Sequence, residues 1–348
     1  MPRSRQFRLA VRTFIAAVAL FCATYSLAPA AFAQETYEQP SQEIVVNLAA
    51  GSVIIAVVKD AILIGTIENP VEPATRPPIP VEISSLRAGI ILGAVEWLAP
   101  STHQVIARLD RELPRLRGSV ASTAALGPHL QAAEGGSEAT DIESFGQGVL
   151  QRLNFLASGF HNKLGLKDDE PIAQVIFADY LPGYGPEVWE FSFTVEQEMT
   201  EHTDYWDTRV KRPQYVQFYP PEKKQPKTLM EFRYPADSAT PTLLELLQQK
   251  DPRLQALISS DPQMAEVATH LLEDESNKIL AADGIQFFRA AMDAIAPPKA
   301  RQTMAIIRPE AGFSWILQPP PDAPSPYQQP KPREAGAPSL ANPPHPQQ

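Results

Sequence analysis

Two apolar runs joined by one polar dipeptide constrain the fold of this chain more than any other feature. Residues 52–58 and 61–67 consist mostly of valine, isoleucine, leucine and alanine, and they flank Lys59-Asp60. Short runs of this kind are typical of strands that are buried on both faces. A polar dipeptide between two such strands predicts a tight hairpin. The hairpin therefore requires further layers of structure above and below it.

The surrounding segments predict more strands and a first helix. Three further segments with apolar, β-branched residues predict strands: residues 43–49, 81–84 and 89–95. A first helix is predicted from Ser101, as its N-cap, to Pro114. Apolar residues recur in it every four positions: Val105, Leu109 and Leu113.

A second helix has the clearest periodicity in the chain. Residues 140–143, Thr-Asp-Ile-Glu, form a capping box that opens it. Its apolar residues follow at spacings of three and four and so share one face: Ile142, Phe145, Val149, Leu153, Leu156, Phe160 and Leu164. This face must pack against another layer.

The second half of the chain predicts two hairpins separated by helices. Strands over residues 172–181 and 188–195 flank a Pro-Gly-Tyr-Gly turn, and aromatic residues alternate with polar ones in the second strand. Residues 196–240 predict an inserted hairpin region. Four helices are predicted next, over residues 243–247, 254–258, 265–272 and 285–295, and a final hairpin joins 304–307 to 313–316. This order predicts an α+β fold with sheets between helix layers.

The order of elements from about residue 52 to residue 317 resembles that of a proteasome-type N-terminal-nucleophile (Ntn) hydrolase subunit. The features that carry the resemblance are the opening strands around Lys59-Asp60, a glycine-containing strand at 88–95, a long second helix, a central hairpin and a late helix before the last strands. The resemblance implies a four-layer αββα sandwich. It also implies a precursor that cuts itself before a Ser, Thr or Cys, whose freed α-amine, with a pKa of about 8, then serves as the base.

Ser52 and Glu68 are the residues onto which that chemistry carries over. Members of the family commonly cut after a glycine and keep an acid sixteen positions beyond the nucleophile, which matches Gly51-Ser52 and Glu68. An alignment on Lys59-Asp60 instead puts Gly51 at the nucleophile and Ile67 at the acid, and one residue of slip exchanges the two faces of a strand.

Two further departures weigh against catalysis. The family's lysine, some thirty residues after the nucleophile, has no counterpart, because residues 61–100 contain no lysine; arginine does not readily share a proton. The strand predicted over residues 43–49 would also run into Ser52 and bury the amine that catalysis needs.

Residues 1–33 have the pattern of a secretory signal peptide. Four arginines precede an apolar stretch at about 14–27, and Ala31-Phe32-Ala33 fits a signal-peptidase site. We expect Gln34 to begin an exported, periplasmic or extracellular protein without membrane insertion. Cys22 is the only cysteine and would leave with the signal, so the mature protein would have no disulfide.

Charge and composition narrow the partners and the ordered region. Loss of four arginines from 30 basic and 40 acidic residues leaves a net charge of −14, which argues against nucleic acid. We predict a disordered leader at 34–42, one proteasome-like domain at 43–317 with the insertion at 196–240, and a disordered tail at 318–348 with eleven prolines. We predict no cofactor and no metal, because the acidic segment around His202 fits no standard metal loop.

Three hypotheses of function follow. The leading one is a non-catalytic binding, assembly or scaffolding module with a proteasome-like fold. Such a pseudoenzyme would bind an unidentified protein partner or copies of itself. The alternative is a self-processing Ntn amidohydrolase or peptidase with Ser52 as nucleophile and Glu68 as the orienting acid. The third is an unrelated α+β protein that binds a ligand on the aromatic hairpin between Trp189 and Phe218.

Overall fold

The structure of the protein, a computed structural model, describes residues 45–69, 75–99, 104–116, 142–159, 170–200, 206–220, 226–236 and 241–319. These residues belong to one unit, Glu43–Gln348. The predicted signal peptide at 1–33, the leader at 34–42 and all but the first two residues of the predicted tail lie outside the described residues. None of the described helices combines the length and apolarity that a bilayer-spanning segment needs.

The chain is a mixed α+β protein. The strands, in chain order, are β1 (Val45–Ala49), β2 (Gly51–Val58), β3 (Ala61–Glu68), β4 (Thr75–Arg76), β5 (Val81–Ser84), β6 (Arg87–Leu98), β7 (Val105–Arg108), β8 (Ala173–Leu181), β9 (Gly185–Phe193), β10 (Val195–Met199), β11 (Trp206–Val210), β12 (Gln214–Tyr219), β13 (Leu229–Tyr234), β14 (Gln302–Arg308) and β15 (Gly312–Leu317). The helices are α1 (Leu109–Glu112), α2 (Ile142–Ala157), α3 (Leu243–Gln248), α4 (Pro252–Ser260), α5 (Pro262–Leu272) and α6 (Ala281–Ile295). Two short 3₁₀ turns cover Leu113–Arg115 and Ser276–Lys278.

The predicted opening hairpin is confirmed and forms the centre of a five-stranded sheet. β2 and β3 pair antiparallel from Gly51 opposite Glu68 to Val58 opposite Ala61. The order of this sheet is β13-β2-β3-β14-β15. The predicted last hairpin, β14–β15, therefore pairs with the first one, although about 240 residues of chain separate them.

β6 organises a second, eight-stranded sheet. The main order is β12-β9-β8-β6-β1-β4, and β5 and β7 also pair with β6. β6 can serve several partners because it is twelve residues long and buried throughout. The predicted central hairpin is β8–β9, whose Leu181 lies opposite Gly185.

The two sheets share a buried apolar cluster, which explains why the opening strands are apolar on both faces. Alternate residues of the first hairpin, such as Val53 and Ile64, cluster with Ile90 of β6 and Ile176 of β8. The intervening residues, such as Ile54 and Leu63, pack instead against the helices α3 to α6. Each strand of the hairpin therefore has one face toward the other sheet and one toward helices.

α2 covers the outer face of the eight-stranded sheet. Its buried residues Phe145, Val149 and Leu153 pack against strands β6, β8 and β9, and the Phe145 ring lies 5.4 Å from that of Phe177. The predicted apolar stripe is confirmed from residue 145 to residue 156. Thr140 of the predicted capping box and Phe160 and Leu164 of the stripe lie outside the described residues.

Three of the helices that pack on the five-stranded sheet begin after an aspartate or threonine N-cap. Asp251 and Asp261 are N-caps of α4 and α5, and each precedes a proline at the first helical position. Thr242 caps α3 in a capping box with Glu245. The four predicted helices of this region are confirmed, with boundaries longer by one to four residues at their ends.

The prediction of a helix beginning at Ser101 is wrong. Residues 105–108 form β7, which pairs with the end of β6, and only Leu109–Glu112 are α-helical. Val105 and Ile106 are β-branched and exposed, at 36% and 45%, so the four-residue spacing did not mark a buried helix face. Only Leu109 and Leu113 of the predicted stripe are buried. Ser101 and His103 lie outside the described residues.

The region predicted as an insertion, residues 196–240, supplies strands to both sheets. β12 pairs with β9 at one edge of the eight-stranded sheet, and β13 pairs with β2 at one edge of the five-stranded sheet. β10 and β11 form a separate hairpin. Parts of this segment are therefore integral to the layers that the rest of the chain builds.

Candidate functional site

Ser52 and Glu68 lie at the same end of the β2–β3 hairpin. Ser52 is opposite Ile67, and Glu68 is opposite Gly51. Both residues border a cleft of about 120 Å³, which we call the Ser52 cleft. Its remaining walls come from the end of β13 and from residues of α3, α4 and the end of α6.

The side chains of Ser52 and Glu68 leave the sheet in opposite directions. In β2, Ser52 alternates with Val53 and so shares the helix face with Ile54. In β3, Glu68 shares the inter-sheet face with Ile62 and Ile64. Both border the Ser52 cleft only because it opens at the end of the hairpin. The residue that faces Glu68 across the strands is Gly51, which has no side chain to act as a nucleophile.

The acid nearest to Ser52 is Glu231 of β13, which no sequence spacing links to it. The Ser52 hydroxyl lies close enough to the Glu231 carboxyl to lower its pKa, and both residues line the Ser52 cleft. That carboxylate accepts from the Arg233 guanidinium at 3.1 Å and from the Leu243 amide at 2.8 Å. Burial raises the pKa of the Glu231 carboxyl, although these donors oppose the shift. Glu231 thus ties β13 to the first turn of α3.

Glu68 is held by Arg301, the residue just before β14. The carboxylate is 7% exposed and accepts from Arg301 Nε at 2.8 Å, from its backbone amide at 3.2 Å, and from Nη2. The hydrogen bond to Glu68 raises the pKa of the Arg301 guanidinium. Glu68 therefore fixes the start of β14 against the end of β3.

The chain crosses from one sheet to the other immediately before Ser52. β1 belongs to the eight-stranded sheet and β2 to the five-stranded sheet, with Ala50 between them. The Ala50 amide donates to the Arg76 carbonyl at 3.1 Å, and the Ala50 carbonyl accepts from the Asn69 amide at 3.0 Å. Ala50 is 5% exposed. The peptide bond between Gly51 and Ser52 therefore lies within continuous, hydrogen-bonded β-structure.

The cations beside Ser52 are arginines. Arg233 and Arg253 line the Ser52 cleft, and no lysine is among the described residues that line it. Residues 61–100 lack the lysine of the resembled family, and the described residues around Ser52 supply none from elsewhere in the chain. Arginine stays protonated at neutral pH and cannot take the hydroxyl proton.

A second polar cluster joins residues of β1, β4, β6 and β7. Glu96 of β6, 1% exposed, accepts from Arg76 Nε at 2.9 Å and lies 3.7 Å from Arg108. Asn47 of β1 also donates to Glu96, which fastens β1 to β6. A cavity of about 10 Å³ separates this cluster from Arg301, which is room for about one water molecule. No sequence motif predicted this cluster, because its members come from β1, β4, β6 and β7.

The aromatic hairpin of the third hypothesis faces inward. Phe191 and Phe193 are fully buried under α2, and the Phe191 ring packs edge-on against Tyr215 at 4.8 Å. Trp189 is partly buried and donates to Glu187. Phe191, Phe193 and Tyr215 therefore form part of a core. Residues 201–205 of the acidic segment lie outside the described residues.

One group of side chains could hold a metal ion. His270, Glu273 and Glu275 at the end of α5 bring donor atoms within 4.8 Å of one another. His270 Nδ1 is 2.8 Å from Glu275, and Lys278 donates to the same carboxylate at 2.6 Å. An ammonium group thus already neutralises part of the negative charge there.

No protein-family profile matches the chain, and no curated protein matches it at a significant level.

Proposed function

We propose that the chain is an exported protein with a proteasome-like αββα sandwich, and that it serves as a non-catalytic binding or assembly module. Export is inferred from the signal-peptide pattern at residues 1–33. The fold proposal is supported by the shared cluster between the sheets, by α2 on the outer face of one sheet and by α3 to α6 on the outer face of the other. It is also supported by the central place of the β2–β3 hairpin.

The observation that carries the non-catalytic proposal is the setting of the Gly51-Ser52 peptide bond. An Ntn nucleophile needs a free α-amine, whereas the Ser52 nitrogen is an amide within β2, between β13 and β3. Release of that amine requires cleavage of a bond whose preceding residue is buried and bonded on both sides. The two acids near Ser52, Glu68 and Glu231, are each bound to an arginine.

A second candidate function is a self-processing Ntn amidohydrolase with Ser52 as nucleophile. The closeness of the Ser52 hydroxyl to the Glu231 carboxyl in the same cleft favours it, because a carboxylate with a raised pKa is a better proton acceptor. In that case Glu231 would assist Ser52, and Glu68 would act only on the backbone through Arg301.

The mass of the secreted protein distinguishes the two functions. The full chain is expressed with its own leader in a host that exports it, and the intact mass and the N-terminal sequence are measured. A mature start at Gln34, unchanged by Ser52→Ala, is the expected result. A start at Ser52 that disappears in Ser52→Ala and persists in Ser85→Ala, an exposed turn serine, would establish the hydrolase and refute the non-catalytic function.

A further inference from the structure

The carboxylates of the Ser52 cleft have their hydrogen-bonding capacity occupied. Glu231 accepts from Nε and Nη2 of Arg233 and from the Leu243 amide. Glu68 accepts from the side chain and the amide of Arg301. A ligand that offers mainly donors would have to displace these bonds, and an arginine left without its carboxylate at such a site is unfavourable.

At the rim of the Ser52 cleft, the group that can still form hydrogen bonds is a donor. Arg253, in the first turn of α4, has a side chain that is 51% exposed. Its Nε and Nη2 atoms donate to Asp251 at 3.0 and 3.2 Å, and its Nη1 group has no partner among the described residues. Guanidinium groups bind planar carboxylates by two parallel hydrogen bonds. The rim is therefore suited to an acceptor, and best to a carboxylate.

Part of the lining of the Ser52 cleft is apolar. Leu246 of α3 and Ile295 of α6 line it together with Pro241 and Pro297. On the scale on which about 10–15 Å³ holds one water molecule, the volume of about 120 Å³ holds about ten. Small clefts with apolar walls and a few convergent polar groups are typical of ligand sites. The group that enters must therefore be small and largely apolar.

We propose that the Ser52 cleft binds a carboxylate that carries a small apolar group, with the carboxylate on Arg253 and the apolar group against Leu246 and Ile295. This inference rests on the proposed binding function and names its ligand class. Two sources have this chemistry: a free small apolar acid, such as an acylated amino acid, and the C-terminal residue of a peptide chain.

Titration with matched probes tests the proposal. The mature chain, residues 34–348, is titrated by calorimetry or NMR with N-acetyl-L-leucine, with the neutral N-acetyl-L-leucinamide, and with an acetylated tetrapeptide ending in leucine. We expect the acid to bind with a dissociation constant on the order of 1 mM, as suits so small a ligand. The amide should bind at least about fivefold more weakly.

Three variants locate the carboxylate. Arg253→Gln should weaken binding of the acid about fivefold or more and leave binding of the amide unchanged. Arg289→Gln removes the same charge from an exposed position of α6 that does not line the cleft, and it should have no effect. Asp251→Asn should tighten binding of the acid, because it frees the Arg253 guanidinium while asparagine still caps α4.

Each outcome bears on the proposal. Tighter binding of the tetrapeptide than of the acid identifies chain termini as the source, and equal or weaker binding identifies free acids. Three results would overturn the proposal. They are equal binding of acid and amide, an unchanged affinity for the acid in Arg253→Gln, and no binding of any probe at a concentration tenfold above the expected dissociation constant. These failures are distinct from failure of the proposed function, which would appear as processing at Ser52 in the mass measurement.

Discussion

Replacement of Gly51, the buried first residue of β2, by alanine should destabilise the protein more than the same change at Gly185, at the start of β9. Gly51 is the residue at which the chain enters the five-stranded sheet, and its φ is +146°. A Cβ there would overlap the carbonyl oxygen of Ile67 and lie 3.1 Å from both Asn69 N and Glu68 Cα. All three are backbone atoms of the partner strand, so no side chain can move aside to make room.

The magnitude follows from three contributions. The backbone conformation at Gly51 disfavours alanine by about 1–3 kcal/mol. Separation of the β2 and β3 ends enough to admit the methyl group breaks about one backbone hydrogen bond, which contributes about 1 kcal/mol. The smaller entropy of the unfolded alanine variant offsets about 0.4–1 kcal/mol. The free energy of unfolding should therefore fall by about 1–3.5 kcal/mol.

Urea unfolding of the mature protein, followed by circular dichroism, measures this loss. With an m-value of about 3 kcal/mol/M, the midpoint should fall by about 0.3–1.2 M. Gly185→Ala is the matched control, because φ there is +103° and no atom lies within 4 Å of the added methyl group. It should lose only the conformational part, which is about 1 kcal/mol less than the loss in Gly51→Ala. Equal midpoints for the two variants would refute the argument that the partner strand excludes a side chain at position 51.

Three further changes test the ionic and capping interactions. Burial raises the pKa of the Asp179 carboxyl against the attraction of Arg87, so the folded state holds this proton more tightly than the unfolded chain. The stability contributed by this group then falls as pH rises from about 4 through the raised pKa. Asp179→Asn lacks that titration and should gain stability relative to the wild type over this range in urea unfolding; a gap that moves the other way would contradict the sign. Thr242→Ala removes the capping box of α3 and should lower the free energy of unfolding by about 1 kcal/mol, whereas Thr269→Ala, which changes an exposed threonine of α5 that caps no helix, should have a smaller effect. Glu68→Gln should lower it by about 1–2 kcal/mol because the Glu68 side chain is only 8% exposed where it meets Arg301. Glu112→Gln, whose side chain is 30% exposed beside Arg152, should lower it by about 0.5 kcal/mol or less; equal losses would argue that burial of the carboxylate does not set the strength of these pairs.

Most secondary structure was predictable because local signals and tertiary burial agree. The β2–β3 hairpin, the α2 stripe and the β14–β15 hairpin all have apolar periods that match the faces they bury. The helix predicted from Ser101 fails because a spacing of four is also met by chance when a short strand precedes a single helical turn. The charged strand β13 escaped prediction because Glu231 and Arg233 face the Ser52 cleft and interrupt its apolar pattern.

The candidate site was less predictable than the fold. Ser52 and Glu68 are correctly placed at one end of one hairpin, because the two strands and their turn fix the register. Sequence spacing did not reveal that Glu231, almost 180 positions away, is the acid nearest to Ser52. Contacts between distant segments depend on which strands become neighbours, and a single sequence carries no direct record of that choice.

By itself, the sequence determined that this is an α+β chain whose first hairpin is buried on both faces, because such continuous apolar runs are stable only between two layers. It also determined that two alignments with the resembled family are possible, one residue apart, which place the nucleophile at Gly51 or at Ser52. Only the tertiary structure decided how those residues are directed: Gly51 lies opposite Glu68, and Ser52 is turned toward the helices and Glu231. The physical reason is that successive side chains of a strand point to opposite faces, while the identity of each face depends on which layer packs against it.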